Sequence, residues 1–223
     1  VAGEVPNKSL IQLKNNLQML TNFLLAIQRK KISYFSYISS DAVYEDTKEK
    51  INEKFNLTKT SIHGIMHLMR ENLINKFYKG RLSIFRPTLI FGAEDPHNGY
   101  GPNKFIRLVL SRNKIILFGR GEEKRDHIHI NAVVNILSNA FIKKKVGTYN
   151  IASGKIYSFY DIAKKIEKIH KKKVIKLKKR SDPPHHLGLR QFNISKLKRN
   201  FKNVELLGIM DYLNIYNLNE YKK

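Results

Sequence analysis

Leucines recur at positions 10, 13, 17, 20 and 24, a helical spacing that predicts an amphipathic helix over residues 7–29. Residues 32–38 are rich in aromatics and bounded by isoleucines, the composition of a buried strand. A polar, irregular stretch over 48–60 reads as a surface loop. From 61 to 79 the apolar positions Ile65, Leu68, Met69 and Leu73 return to helical spacing, and Gly80 is placed to stop that helix. Short strands are expected over 82–85, 114–118, 127–130 and 148–152, with a helix over 132–142. Ser158, with Asp161 three residues on, resembles a capping box opening a helix to His170. Residues 174–223 mix a short strand with helices. Helices and strands alternating in this way predict a layered α/β fold, with a mostly parallel sheet and a smaller C-terminal lobe.

Composition narrows the setting. The 223 residues could bury one sizeable core. There is no cysteine, which excludes disulfides and thiolate metal sites. No apolar run approaches the ~20 residues of a membrane span, so no membrane association and a soluble, cytoplasmic setting are expected. The chain opens on Val1-Ala2-Gly3, which looks like the tail of a strand already under way and reads as a truncated copy or fragment.

The charge is lopsided: 42 Lys+Arg against 18 Asp+Glu, formally +24. Such a balance attracts polyanions. Yet lysines are spread over many elements, alongside abundant Asn and Ile. Aromatics do not interleave with the clusters at 143–145 and 171–180, as a single-strand binder needs. Nucleic-acid binding is therefore the weakest of the functional readings.

Four landmarks carry more information. Ser39-Ser40-Asp41-Ala42-Val43-Tyr44 closes an apolar run; His63 and His67 lie one helical turn apart, on one face. Arg86-Pro87 opens a segment ending at Gly92. Leu117-Phe118-Gly119-Arg120-Gly121 leads into Arg125-Asp126-His127-Ile128-His129-Ile130. Taken alone, the histidine pair could ligate a metal, but no acidic or thiolate partner accompanies it. Ser40 alone reads equally as a turn residue, and Pro102 as the start of an ordinary helix.

In this order the landmarks resemble the extended short-chain dehydrogenase/reductase superfamily, the NAD-dependent nucleotide-sugar epimerases and dehydratases. The resemblance implies the C-terminal part of a Rossmann-type parallel-sheet domain (1–98 and 127–153) plus a smaller mixed α/β substrate-binding lobe (99–126 and 154–223). It implies NAD or NADP as cofactor, a nucleotide-diphosphate sugar as ligand, and a homodimer. The family's glycine-rich phosphate-binding turn has no counterpart in this sequence.

By the same resemblance, Ser40 is the hydroxyl that bonds the reacting sugar. His63 and His67 stand where the family's YxxxK signature has its Tyr base and its Lys, so both also map to the cofactor side, with Pro87 near the nicotinamide. Asn103, Arg125 and, less securely, Arg180 map to diphosphate-contacting positions; Phe192-Asn193 stands where Phe-Asp is usual. Leu89 replaces an Asn that bonds the sugar nucleotide, and Ala132 replaces an Asp. Asp41 matches the Asp of a dehydratase Thr-Asp-Glu triplet, but Ala42 replaces its Glu, which argues against water elimination. Imidazole accepts a proton near neutrality, so His63 could serve as a base. An epimerase-like oxidoreductase, impaired in this form, and a non-catalytic sugar-nucleotide-binding or interaction protein follow as the two main readings. Whether the chain is an enzyme turns on the histidine pair.

Overall fold

The computed structural model describes residues 3–4, 8–57, 61–95, 99–180 and 189–216. The first two residues of the proposed strand tail lie outside them, as do residues 181–188 within the C-terminal stretch. In chain order the elements are α1 (Leu10–Gln28), β1 (Tyr34–Ile38), a 3-10 turn (Asp41–Val43), β2 (Lys50–Ile51), α2 (Ile62–Phe77), β3 (Arg81–Pro87) and β4 (Leu89–Phe91). Then come α3 (Pro102–Leu110), β5 (Ile115–Phe118), β6 (Lys124–His129), α4 (Ile130–Ile142), β7 (Gly147–Ile151), β8 (Ile156–Ser158) and α5 (Phe159–His170). The chain finishes with β9 (Ile175–Lys178), β10 (Gln191–Phe192), α6 (Ser195–Asn200) and α7 (Ile209–Ile215).

The central sheet runs β1-β3-β7, all parallel, with Ile38 beside Phe85 and Pro87 beside Ile151. Successive side chains of a strand point to opposite faces, and β3 shows it. Ile84 packs with Leu20, Leu24 and Ile74 of α1 and α2, whereas Phe85 packs with Val133 and Ile136 of α4 and Leu197 of α6. Helices thus cover both faces of a parallel sheet, as a layered α/β fold requires. A separate core gathers Phe105, Ile106 and Val109 of α3 with Ile162 and Ile166 of α5 and Leu213 of α7. Of the six strand pairings described, only β6 with β8 is antiparallel.

Helix ends follow local chemistry. Ser158 and Asp161 form the expected capping box of α5, each side chain accepting from the other's backbone N–H. Ser61 caps α2 by accepting from Gly64 N at 3.1 Å. The turn from β7 to β8 is held by Asp126, which accepts from Ser153 N at 2.9 Å, Ser153 Oγ at 2.8 Å and Gly154 N at 2.7 Å.

Four expectations are corrected. Residues 48–60 are not simply a surface loop: Ile51 is fully buried, because β2 pairs in parallel with β10 some 140 residues later. The apolar stripe of α2 is not its buried face. Ile65 and Met69 are exposed, while Gly64, Met66, His67, Arg70, Glu71 and Ile74 point inward. That helix also ends at Tyr78, before Gly80. Finally, β1 is not buried on both faces. It pairs with β3 alone among the described strands, and Ile38 is half exposed.

Candidate active site

At the carboxyl end of β1 the chain turns sharply through Ser39 and Ser40. Ser40 is the N-cap of the 3-10 turn, its Oγ accepting from Ala42 N at 3.1 Å. Ser39 points inward and donates to Glu71 Oε1 at 2.5 Å. Arg86, from β3, clamps the same carboxylate with both ends of its fork, Nε to Oε1 at 3.0 Å and Nη2 to Oε2 at 2.5 Å. Its Nη1 donates to Tyr44 Oη at 2.7 Å, and Tyr44 donates on to Asn150 Oδ1 at 2.8 Å. Burial works against the Arg86 charge, but Glu71 more than offsets this and holds the guanidinium above its ordinary value. This buried chain ties β1, α2, β3 and β7 together beneath the serines.

Beside Ser40 stands the histidine pair. His63 occupies the first turn of α2, half buried, and its ring meets that of His67 edge to face with centroids 4.8 Å apart. His67 is buried, and Tyr37 Oη lies 3.0 Å from its Nδ1. Burial, His63 and Arg70 together pull the His67 pKa down to about 3. Burial also lowers the pKa of His63, partly countered by the Asp41 carboxylate. Both rings are therefore neutral at pH 7.

Asp41 is held by an arginine from late in the chain. Arg190 donates from Nη1 to its backbone oxygen and to Oδ2, each at 3.0 Å, and reaches Asp46 at 2.8–3.0 Å. Asp46 in turn accepts from Arg125 Nη2 at 3.1 Å. Two arginines from distant parts of the chain thus converge on the segment after Ser40, each with a side chain about one-tenth exposed.

The structure brings His63 and His67 together on α2 and packs that helix against the 3-10 turn that Ser40 caps, a turn linked to Arg125 through Asp41, Arg190 and Asp46. Pro87 is buried at the end of β3 beside Ile151. Asn103 and Arg180 have other partners. Asn103, on α3, accepts from Gly92 N at 3.3 Å and donates to Asp95 at 2.7 Å. Arg180 pairs with Glu123 at 2.9 Å. Sequence reasoning missed Tyr37, Arg70, Asp46 and Arg190. For Arg70 a signal existed, since it follows His67 by three residues and so shares its helix face.

Residues 5–152 match the model of the NAD dependent epimerase/dehydratase family, two thirds of the chain. The chain belongs to that family. The matched span holds the serine turn, both histidines, Pro87, Asn103 and Arg125, while Arg180 and Arg190 lie beyond it. Among curated family relatives, a dTDP-D-glucose 4,6-dehydratase of Dictyostelium discoideum is 29% identical over 181 residues, covering 71% of this chain and 40% of its own length. An ADP-L-glycero-D-manno-heptose-6-epimerase of Brachyspira hyodysenteriae is 26% identical over 171 residues, 71% of this chain and 53% of its own. The chain therefore spans about half the length of the curated relatives it matches. In fold it superposes on the UDP-glucuronic acid 4-epimerase of Bacillus cereus, solved with UDP-glucuronic acid and NAD. The TM-score is 0.83 at 22% identity, over 95% of this chain and 68% of that one. The Rossmann-like α/β architecture of the family is thus present.

One buried polar group beside Pro87 bears on the family's cofactor. Thr88 Oγ1, next to Pro87 at the sheet's carboxyl end, is buried without a hydrogen-bond partner among the described residues. A carboxamide is the kind of group that would satisfy it. Among the described residues no helix of the family protein is long and apolar enough to cross a membrane.

Proposed function

We propose that this chain carries the reacting end of a nucleotide-sugar epimerase-like site, in which a neutral histidine pair stands in for Tyr and Lys. The observation that carries the reading is the packing of the helix that holds His63 and His67 against the turn that Ser40 caps, at the carboxyl end of a parallel strand, where open α/β sheets bind their ligands. NAD bound against Pro87 and Thr88 would supply the hydride acceptor and return the hydride. Ser40 holds the sugar hydroxyl, exchanging its turn contact for the substrate. His63, uncharged at pH 7, accepts the hydroxyl proton as the C–H bond breaks and gives it back on the return step. Dehydration is disfavoured. It calls for an acid–base pair, whereas Ala42 has no acid and Asp41 is engaged by Arg190.

A mixture of NAD and UDP-hexoses tests this, with the epimer ratio read by NMR. The histidine pair should limit turnover. Restoring Tyr at 63 and Lys at 67, with the glycine-rich half supplied from a relative, should raise the rate by about 10²–10⁴. A faster enzyme with the original histidines would show that imidazole chemistry is selected for.

A second reading is favoured by one observation: His67 cannot carry the charge of the ammonium it replaces. On that reading the chain binds the nucleotide sugar without turning it over. Both readings use Arg125, whose fixed donors suit a diphosphate. Arg125→Ala should weaken UDP-sugar binding by about 1.5–3 kcal/mol in calorimetry. Unchanged affinity would remove Arg125 from the site and leave it as the partner of Asp46.

The same proposal includes a homodimer. α1 and α2 pack on each other and leave Ile11, Leu25, Ile65 and Met69 exposed, apolar side chains that a second copy could cover. The 223-residue chain should sediment as a dimer or larger species. A monodisperse monomer at tens of micromolar, on the order of ordinary assay conditions, would count against it.

A further inference from the structure

The three parallel strands of the central sheet begin side by side, at the end opposite the serine turn. Tyr34 of β1 stands beside Arg81 of β3, and Ser83 of β3 beside Gly147 of β7. The seven residues of β3 set this end about 20 Å from the candidate site. The segments leading into the strands, 29–32, 76–81 and 143–146, share one composition. Each carries three Lys or Arg and one exposed aliphatic or phenyl side chain: Ile32, Phe77 and Val146, exposed by 38%, 51% and 54%. None carries Asp or Glu. At the chain's overall balance of 42 Lys+Arg to 18 Asp+Glu, nine cations would come with about four acids, so composition alone does not make this surface.

Hydrogen bonds hold the segments together. Tyr78 Oη donates to Ile32 O at 3.1 Å, Arg81 Nη2 donates to Lys144 O at 3.0 Å, and Ser83 Oγ donates to Lys145 O. Eight of the nine cations are exposed and Lys145 is half-buried. Among the described residues none of the nine is ion-paired with a carboxylate. Like charges gathered in this way repel one another, a cost that an anionic surface laid against them removes.

We propose that the amino end of the sheet is a docking surface for an anionic lipid bilayer. The lysines and arginines meet the negative headgroups, while Ile32, Phe77 and Val146 enter the boundary between headgroups and acyl chains. A contact of this kind lies on the membrane and needs no helix that crosses it. The apolar side chains argue against nucleic acid as the occupant. Two of the three are aliphatic, and a strand binder needs aromatic rings on which successive bases stack. Bound in this way, the chain holds its serine turn and histidine pair away from the bilayer, so the inference does not depend on the reaction assigned to them.

Vesicle flotation with the full chain tests it. The protein should float with phosphatidylcholine vesicles containing about 30% phosphatidylserine, and not with phosphatidylcholine alone. Lys143→Gln, Lys144→Gln and Lys145→Gln together should lower that binding on the order of 100-fold at physiological ionic strength. The control is the triplet Lys171, Lys172 and Lys173, which likewise starts at a helix C-cap and includes one residue of positive φ. Its three Gln substitutions make the same change in net charge, and should lower binding by less than about threefold. Ile32→Ser with Val146→Ser should weaken binding about tenfold at unchanged charge. Should the 143–145 variant fail to fold, Arg29→Gln with Lys30→Gln and Lys31→Gln takes its place. Equal losses from the 143–145 and 171–173 triplets would mean that net charge alone drives binding, and would overturn the proposal. So would serine variants that bind as the wild type does, or a chain that ignores the vesicles and binds poly(U) through 143–145.

Discussion

Replacing Glu71 by Ala should cost about 3–5 kcal/mol of folding stability, the range for removing one partner of a buried ion pair. The carboxylate is the hub of the polar chain beneath the serines. It accepts from Ser39 at 2.5 Å and from both ends of the Arg86 fork, and the Glu71 and Arg86 side chains are 4% and 6% exposed. Without it the Arg86 guanidinium stays buried, still bonded to Tyr44 but with no counter-charge in this group. The desolvation cost dominates, so the lost pair counts for less than the stranded cation. The control follows from the same reasoning: Glu71→Leu with Arg86→Met removes both charges and should recover most of the loss. Urea unfolding of the wild type and both variants measures it. A single-mutant loss under about 1 kcal/mol would mean that water reaches Arg86 and solvates it.

Acid should destabilise the protein, and two buried histidines drive the loss. His127, on β6, is fully enclosed against Phe159, with ring centroids 5.8 Å apart. Neither of its ring nitrogens has a hydrogen-bond partner of ordinary geometry among the described residues. Burial pulls its pKa down to about 3, as it does for His67. In the unfolded chain each ring takes a proton near pH 6.5. Between pH 6.5 and about 3 the unfolded state binds more protons, so stability is full above that window and falls as pH drops through it. The slope is about 1.4 kcal/mol per pH unit for each histidine. His127→Phe should remove that histidine's share of the slope. Below about pH 6 the slope is partly opposed by Asp126, whose buried carboxyl is pushed up to about 6 and so takes its proton in the folded state first. At pH 7 the variant should add about 1–3 kcal/mol by removing unsatisfied buried nitrogens. Denaturant midpoints at pH 7, 6 and 5 test both effects. Parallel wild-type and variant curves would show that His127 finds a partner in solution.

Both results depend on polar groups placed where patterning looks for apolar ones, and that is also where the sequence was hardest to read. Ser158 with Asp161 is legible because a cap is local chemistry, complete within four residues. The helical spacing of α1 is legible for the same reason. The inward face of α2 is not. Met66 and Ile74 share it with His67, Arg70 and Glu71, while Ile65 and Met69 turn outward, so apolarity points the wrong way. Strand β2 is invisible in sequence because two residues carry no period, and only their pairing with Gln191 and Phe192 makes them a strand. Among site residues, Ser40, His63 and His67 stand out through motif spacing. Tyr37 and Arg190 do not, since each acquires its meaning from a neighbour 30 or 149 residues away.

The last of these distances bears on how the protein comes into being. Arg190 grips Asp41 across 149 residues of chain, and β10 supplies the only strand partner β2 has among the described residues. A ribosome adds some 5–20 residues each second, so the serine turn emerges roughly 7–30 seconds before the arginine that secures it. During that interval α1, β1, α2 and β3 already have each other to pack against, but the Asp41–Asp46 segment does not yet have its clasp. The nascent chain thus passes through a state with a formed sheet and an unsecured Asp41–Asp46 segment, and closing so long a loop comes late in folding. Protease sensitivity after Ser40 should therefore outlast that of the central sheet.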